Sequence, residues 1–267
     1  MRKYLAFFKI RFINGLQYRA AAYAGMATQF FWGFMTLLIF WAFYKSGANE
    51  FPMTFPQLAN YIWMQQAFLM LYAAWSFEND IFDAITGGNI AYELCRPVDL
   101  YSMWFIKNIA ARVARVLLRC LPILIVAVFL PVPFNLSAPM SLSAGLLFIL
   151  SLGLGSLLAV SVVMLVYIAT FYMLSSLGIR ILFGSITEFL SGAIIPLPFF
   201  PESVQKVLYI FPFAYMQNAP FQIYNGYLSG FEAYKTILIQ IFWLAALWLI
   251  GRFAMSRALK KIVVQGG

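Results

Sequence analysis

Histidine is absent from this chain of 267 residues. That removes the commonest metal ligand and the usual general base near neutral pH. There are two cysteines, Cys95 and Cys120. On the layout derived below one falls in a cytoplasmic loop and the other inside a span, so neither suits a structural disulfide in an oxidising compartment. Charged residues make up 10% of the chain, against about 25% in a soluble domain. No G-x-x-x-x-G-K-[ST] loop occurs anywhere, so the chain lacks that device for holding a nucleotide. A membrane-embedded enzyme would need intramembrane nucleophiles, metal ligands or carboxylate pairs. A single acid, Glu188, lies deep in an apolar run. No catalytic residue and no metal site is expected.

What the chain has in abundance is apolar surface. Hydrophobic residues reach 63%, where a soluble domain has about 45–50%. A spanning helix takes about 20 apolar residues. We therefore expect an all-α integral membrane protein with six spans. They run at about Tyr23–Tyr44, Leu58–Phe77, Ser102–Leu130, Leu142–Met173, Ile181–Ile195 and Tyr234–Met255. Residues 1–21 form an expected interfacial helix, 22–256 the transmembrane domain and 257–267 a cytoplasmic tail. In the first segment Leu5, Phe8, Phe12 and Leu16 share a stripe, with Lys3, Arg11, Asn14 and Gln17 opposite. A basic tail that merely fixes orientation is the plainer reading. No small-residue cleavage site follows this segment, so a cleaved signal peptide is not expected. Asn49, Pro52 and Pro56 break the chain after span one, and Gly145, Gly153, Gly155 and Ser156 offer small surfaces for close packing in span four.

Fifteen of the eighteen Lys and Arg fall on one side of this layout, leaving Lys45, Lys206 and Lys235 on the other. The positive-inside rule then puts both termini in the cytoplasm of a cell with this chain in its inner or plasma membrane. The net charge of +9 is accounted for in this way. Nucleic acid is not an expected partner, because the cations flank lipid-length segments rather than form a soluble patch.

Five of the nine acids (Glu78, Asp80, Asp83, Glu93, Asp99) crowd into residues 76–101, a polar island between spans two and three. Ile81, Phe82 and Ile85 lie on one side of a short amphipathic helix, with Asp80 and Asp83 turned away. Gly87 and Gly88 end that helix, since glycine tolerates the positive φ of a helix terminus. Arg96-Pro97 forces an extended step before the next span. A short helix held between two spans suits the reception of a push from another protein.

Polar groups inside the spans need partners. Gln65 and Gln66 should face protein or a polar path. Span three opens with a basic ladder, Lys107, Arg112, Arg115 and Arg119. Glu188 and Arg119 fall at similar depths, about 12 Å from the inner edge of a ~30 Å core. They are expected to face the interior and pair, within one chain or across a permease interface, with Arg115 as reserve partner. The alternatives are that Arg119 snorkels to the headgroups and that Glu188 takes up a proton. Between spans five and six, Pro196, Pro198, Pro201, Pro212 and Pro220 interrupt an aromatic stretch. No continuous helix fits there. A broken re-entrant hairpin at the outer face, closing the exit of a pathway, is expected; a helix lying flat on the surface is the alternative.

Together these features resemble the ABC-2-type permeases, six-span membrane subunits of ATP-driven exporters. The resemblance rests on the N-terminal helix, on GGNIAYELCRPVDLY before span three, and on SGAIIPLPFFPESVQKVLYIFPFAYMQNAP at 191–220. It implies that the island helix is a coupling helix, with Ile81, Phe82 and Ile85 touching a separate cytoplasmic ABC ATPase that binds the ATP and Mg. It also implies a second permease, identical or related, that completes the substrate pathway within the lipid bilayer. This chain would hold no cofactor. The outer loops lack the large domains some members carry. Two other readings stand beside it, an ion-coupled secondary transporter using Glu188 and a purely structural subunit. The absence of an internal repeat weighs against the first.

Overall fold

The computed structural model describes residues 2–47, 51–173 and 175–260. Asn49 and the last seven residues of the expected tail lie outside them. Within the described residues the chain is helical, with no strand.

Helix α1 (Arg2–Leu16) turns at Tyr18 into α2 (Arg19–Lys45). Only Ala22, Met26, Gln29, Gly33 and Leu37 of α2 are buried, a narrow stripe at spacings of three and four. Gly33 lets the Trp63 ring approach, for a Cβ there would lie 3.0 Å from it. The remaining surface of α2, including Phe31, Trp32, Leu38 and Phe43, is exposed. Such an apolar helix is at home in lipid rather than in water.

Helix α3 (Phe55–Tyr72) is the central element. Thr54 and Gln57 form a capping box at its start, and Pro56 sits in the first turn, where its missing N–H costs nothing. Thirteen of its 18 residues are buried, Leu58, Ala59, Tyr61 and Trp63 completely. A helix walled by protein can carry amides that lipid would reject. Asn60 exchanges hydrogen bonds with Ser137, and Gln29 donates to the Gln66 carbonyl at 2.9 Å.

The island folds as α4 (Asn79–Thr86) and α5 (Ile90–Leu94), and Asp99 then caps α6 (Leu100–Leu117) through the Ser102 N–H at 2.9 Å. The expected third span is not one helix. It breaks at Leu118 and Arg119, and α7 (Cys120–Val128) starts anew. Pro122 explains the break: it offers no N–H to the Leu118 carbonyl four residues back, and its ring crowds that carbonyl.

Helix α8 (Leu142–Thr170) packs against α12 (Gly230–Leu259). Of the small residues in α8, Gly155 is the one in tight contact. A Cβ there would strike the Met216 carbonyl, whereas Gly153 faces open space. Helix α9 (Leu177–Leu190) is 14 residues long, about 21 Å and short of a ~30 Å core. The expected fifth span therefore starts earlier and ends sooner than Ile181–Ile195. Gly192, at φ +79, turns the chain out of helical geometry.

Residues 196–225 follow as a 3₁₀ turn (Leu197–Phe199), α10 (Glu202–Leu208), a second turn (Pro212–Tyr215) and α11 (Asn218–Tyr224). Among the described residues three helices are long and apolar enough to cross a membrane: α2, α8 and α12. The other expected spans correspond to α3, the broken pair α6 and α7, and the short α9. The chain is a membrane protein.

Candidate functional site

The island is mounted on the bundle from both sides. Ile81 and Phe82 are each 2% exposed and pack with Ile90 into a cluster containing Trp104, Met164 and Tyr167. The Phe82 and Tyr167 rings lie 4.8 Å apart, and Phe77 meets Phe82 at 5.4 Å. This corrects the expectation that Ile81 and Phe82 offer themselves to a partner protein. The amphipathic helix is as foreseen, but its apolar face is consumed by its own chain, and only Ile85 remains half-buried.

The basic ladder of α6 supplies the other side of the mount. Arg112 is 1% exposed. Its guanidinium donates to the carbonyls of Leu71 at 3.0 Å, Ala73 at 3.1 Å and Ser76 at 2.9 Å. These include carbonyls that the end of α3 leaves without intrahelical partners, and a cation there also suits the negative end of the helix dipole. Arg115 donates to Ser76 Oγ at 2.7 Å and pairs with Glu78 at 2.6 Å. Lys107, almost fully buried, pairs with Asp80. From α9, Arg180 donates to Asn79 at 2.8 Å and lies over the Phe82 ring at 4.6 Å. The Glu78 N–H donates to the Tyr167 hydroxyl at 2.8 Å, which in turn donates to Asn108.

Four of the five island acids are thereby engaged. Glu78 and Asp80 hold α6, Glu93 accepts from the Trp104 indole at 2.8 Å, and Asp99 both caps α6 and meets Arg252 at 3.2 Å. Asp83 is exposed and has no ion pair or side-chain hydrogen bond among the described residues. Beside it the helix ends on Gly87, whose N–H reaches the Asp83 carbonyl at 2.9 Å, and Gly88 takes φ +74. Arg96 is exposed near Glu93 at 3.8 Å, and the Pro97 carbonyl accepts from Lys3 at 2.8 Å, tying the extended step to α1.

In α1 three residues of the expected stripe, Phe8, Phe12 and Leu16, are half-buried. Leu5 is exposed, and Phe7, Arg11 and Gly15 are half-buried beside the stripe. A Cβ at Gly15 would lie 2.6 Å from that of Ala114, so α1 rests close on α6.

Arg119 and Glu188 do not pair within the chain. Arg119 points to α2, donating to the Ala21 carbonyl at 3.2 Å beside Gly25, while Glu188 lines a separate pocket with Trp75, Arg180 and Ile181. Similar depth did not mean the same azimuth. Arg115, the reserve partner, is taken by Glu78.

At the far end the proline-rich segment is broken as its prolines require. Pro196 leads into the first 3₁₀ turn, which contains the buried Pro198; Pro201 precedes α10, and Pro212 opens the second turn. The ties here are uncharged. Tyr61 donates to the Gly192 carbonyl at 3.1 Å, Gln65 donates to that of Ala193, and Gln240 donates to those of Tyr215 at 2.8 Å and Ser151 at 3.1 Å. All seven residues of α11 are buried.

Sequence reasoning missed the inward roles of Arg112 and Gln240. A lone cation at mid-ladder and a lone amide in the last span were the available signals, since each is costly in an apolar helix without a partner.

Residues 22–266 match the family model described as ABC-2 family transporter protein. No curated protein matches the chain.

Proposed function

The chain belongs to the ABC-2 transporter family, and from that premise we propose that it is the permease subunit of an ATP-driven exporter. In this reading it crosses a cell membrane six times with both termini in the cytoplasm, α3, α6 with α7, and α9 completing the crossings. A second permease shares the substrate pathway, and a separate ATPase carries the ATP and Mg. The island faces that ATPase, and α4 is the coupling element. Residues 196–225 form the re-entrant part at the outer end.

The observation that carries the reading is the mount of α4. Its apolar face and its first turn are fixed to α6, α8 and α9, so a force on its free edge moves the bundle rather than the loop alone. That free edge is Asp83, Thr86, Gly87 and Gly88, all exposed. Contact with the ATPase is accordingly assigned to this edge and not to Ile81 and Phe82.

Cysteine cross-linking tests the assignment in the assembled transporter, in a background of Cys95→Ser and Cys120→Ala. Cysteine at Asp83 or Thr86 is expected to cross-link to the ATPase, and cysteine at Ile81 is not. Cross-linking at Ile81 with none at Asp83 would overturn it.

A further inference from the structure

Between α1, the start of α2 and α6 lies a cleft of about 450 Å³, within the range of ligand sites at roughly 300–1,000 Å³. Four cations line it, Arg11, Lys107, Arg115 and Arg119, against two carboxylates, Glu78 and Asp80. Both carboxylates are already taken, Asp80 by Lys107 and Glu78 by Arg115. Two guanidinium groups are left over.

Neither has a carboxylate among the described residues. Arg11 lies over the Phe7 ring at 5.3 Å and makes no ion pair. Arg119 gives one N–H to the Ala21 carbonyl at 3.2 Å, and its Nε is buried without a hydrogen-bond partner. Unbalanced cations in a partly desolvated cleft attract an anion more strongly than they would at an open surface. The planar fork of arginine matches the geometry of phosphate oxygens. The walls are fixed, with Gly15 of α1 against Ala114 and Lys3 bonded to the Pro97 carbonyl.

We propose that this cleft binds a phosphate-bearing anion, with Arg11 and Arg119 as its ligands. The neighbouring surface favours a phospholipid headgroup as the source. Tyr18, Tyr23, Ile10 and Ile13 on α1 and the start of α2 are exposed, and they supply apolar area along which acyl chains can lie. The inference does not rest on the transport reading, since any membrane protein with this cleft would bind in the same way.

The test uses the full chain, purified in a neutral detergent. Binding of dioleoylphosphatidylglycerol and of dioleoylphosphatidylcholine is compared by native mass spectrometry. With each free cation near an anionic lipid worth about fivefold, the anionic lipid is expected to bind roughly thirtyfold tighter. Arg11→Gln should lose about fivefold, and Arg11→Gln with Arg119→Gln should bring the anionic lipid to the level of the zwitterionic one. Lys9→Gln, on the exposed side of α1, should change nothing. Arg11 lies at the edge of the fold, so its single variant remains decisive even where the double variant fails to fold. Inorganic phosphate is added as a separate arm. If it displaces the lipid and occupies the site alone, phosphate binding stands and free phosphate replaces lipid as the source. Equal binding of the two lipids with no effect of phosphate overturns the proposal, as does equal loss in Lys9→Gln and Arg11→Gln.

Discussion

Residues 71–80 and residues 192–225 are both stretches of broken backbone fixed against continuous helices, but by different chemistry. At the island the ties come from Lys107, Arg112, Arg115 and Arg180. At the proline-rich end they come from Tyr61, Gln65 and Gln240. Hydrogen bonds to charged groups contribute about 1.5–3 kcal/mol each, neutral ones nearer 1. An ion is tolerable where acids and helix-end carbonyls can surround it: Asp80 meets Lys107, Glu78 meets Arg115, and the carbonyls of Leu71 and Ala73 meet Arg112. The other end has no acid among its ties, so a cation there would be left uncompensated. Helix α3 joins the two regions. Tyr61 and Gln65 in its body hold Gly192 and Ala193, and the carbonyls of its last turn hold Arg112. In this account a push on α4 travels through Arg112 into α3 and reaches residues 192–193, a hypothesis whose parts can be broken separately.

The largest effect is expected from Arg112→Met. It leaves the terminal carbonyls of α3 buried without donors and should destabilise the chain by about 3–5 kcal/mol, as removal of one member of a buried charged contact does. Chemical unfolding in detergent, followed by circular dichroism, would show it. At the neutral end, Gln240→Leu removes two hydrogen bonds to carbonyls and should cost about 1–2 kcal/mol in the same assay. If the two losses are equal, the distinction between charged and neutral ties fails. The smallest effect is expected from Arg252→Gln. Its pair with Asp99 is 41% and 40% exposed, so the loss should stay below about 1 kcal/mol and vanish as salt is raised. A loss as large as that of Arg112→Met would mean that exposure does not rank these contacts.

How far these features were legible follows from what periodicity and spacing carry. The apolar stripe of Ile81, Phe82 and Ile85 was plain, because helical spacing defines a face. What that face meets was not, since Trp104 and Tyr167 come to it from distant parts of the chain. The prolines between 196 and 220 announced a broken backbone, because the ring forbids a helical interior wherever it occurs. The buried position of α11 carried no such local signature. Pro122 held the break at Leu118–Arg119 in view, but the long apolar run around it hid the interruption. Depth arithmetic brought Arg119 and Glu188 level and could not place them around the bundle. Arg119 faces Ala21, and Glu188 lies in a pocket lined by Trp75.

The central claim is that α4 spends its apolar face on its own bundle and meets the ATPase with its polar edge. The most direct measurement is the amount of ATPase that co-purifies with Asp83→Arg and with Phe82→Ala, alongside the unfolding midpoint of each permease. The account predicts that Asp83→Arg loses the ATPase at unchanged stability. Phe82→Ala should destabilise the permease by about 3–5 kcal/mol, while the fraction that stays folded retains the ATPase. A stable Phe82→Ala permease that has lost its ATPase, with Asp83→Arg behaving as the parent, would contradict it.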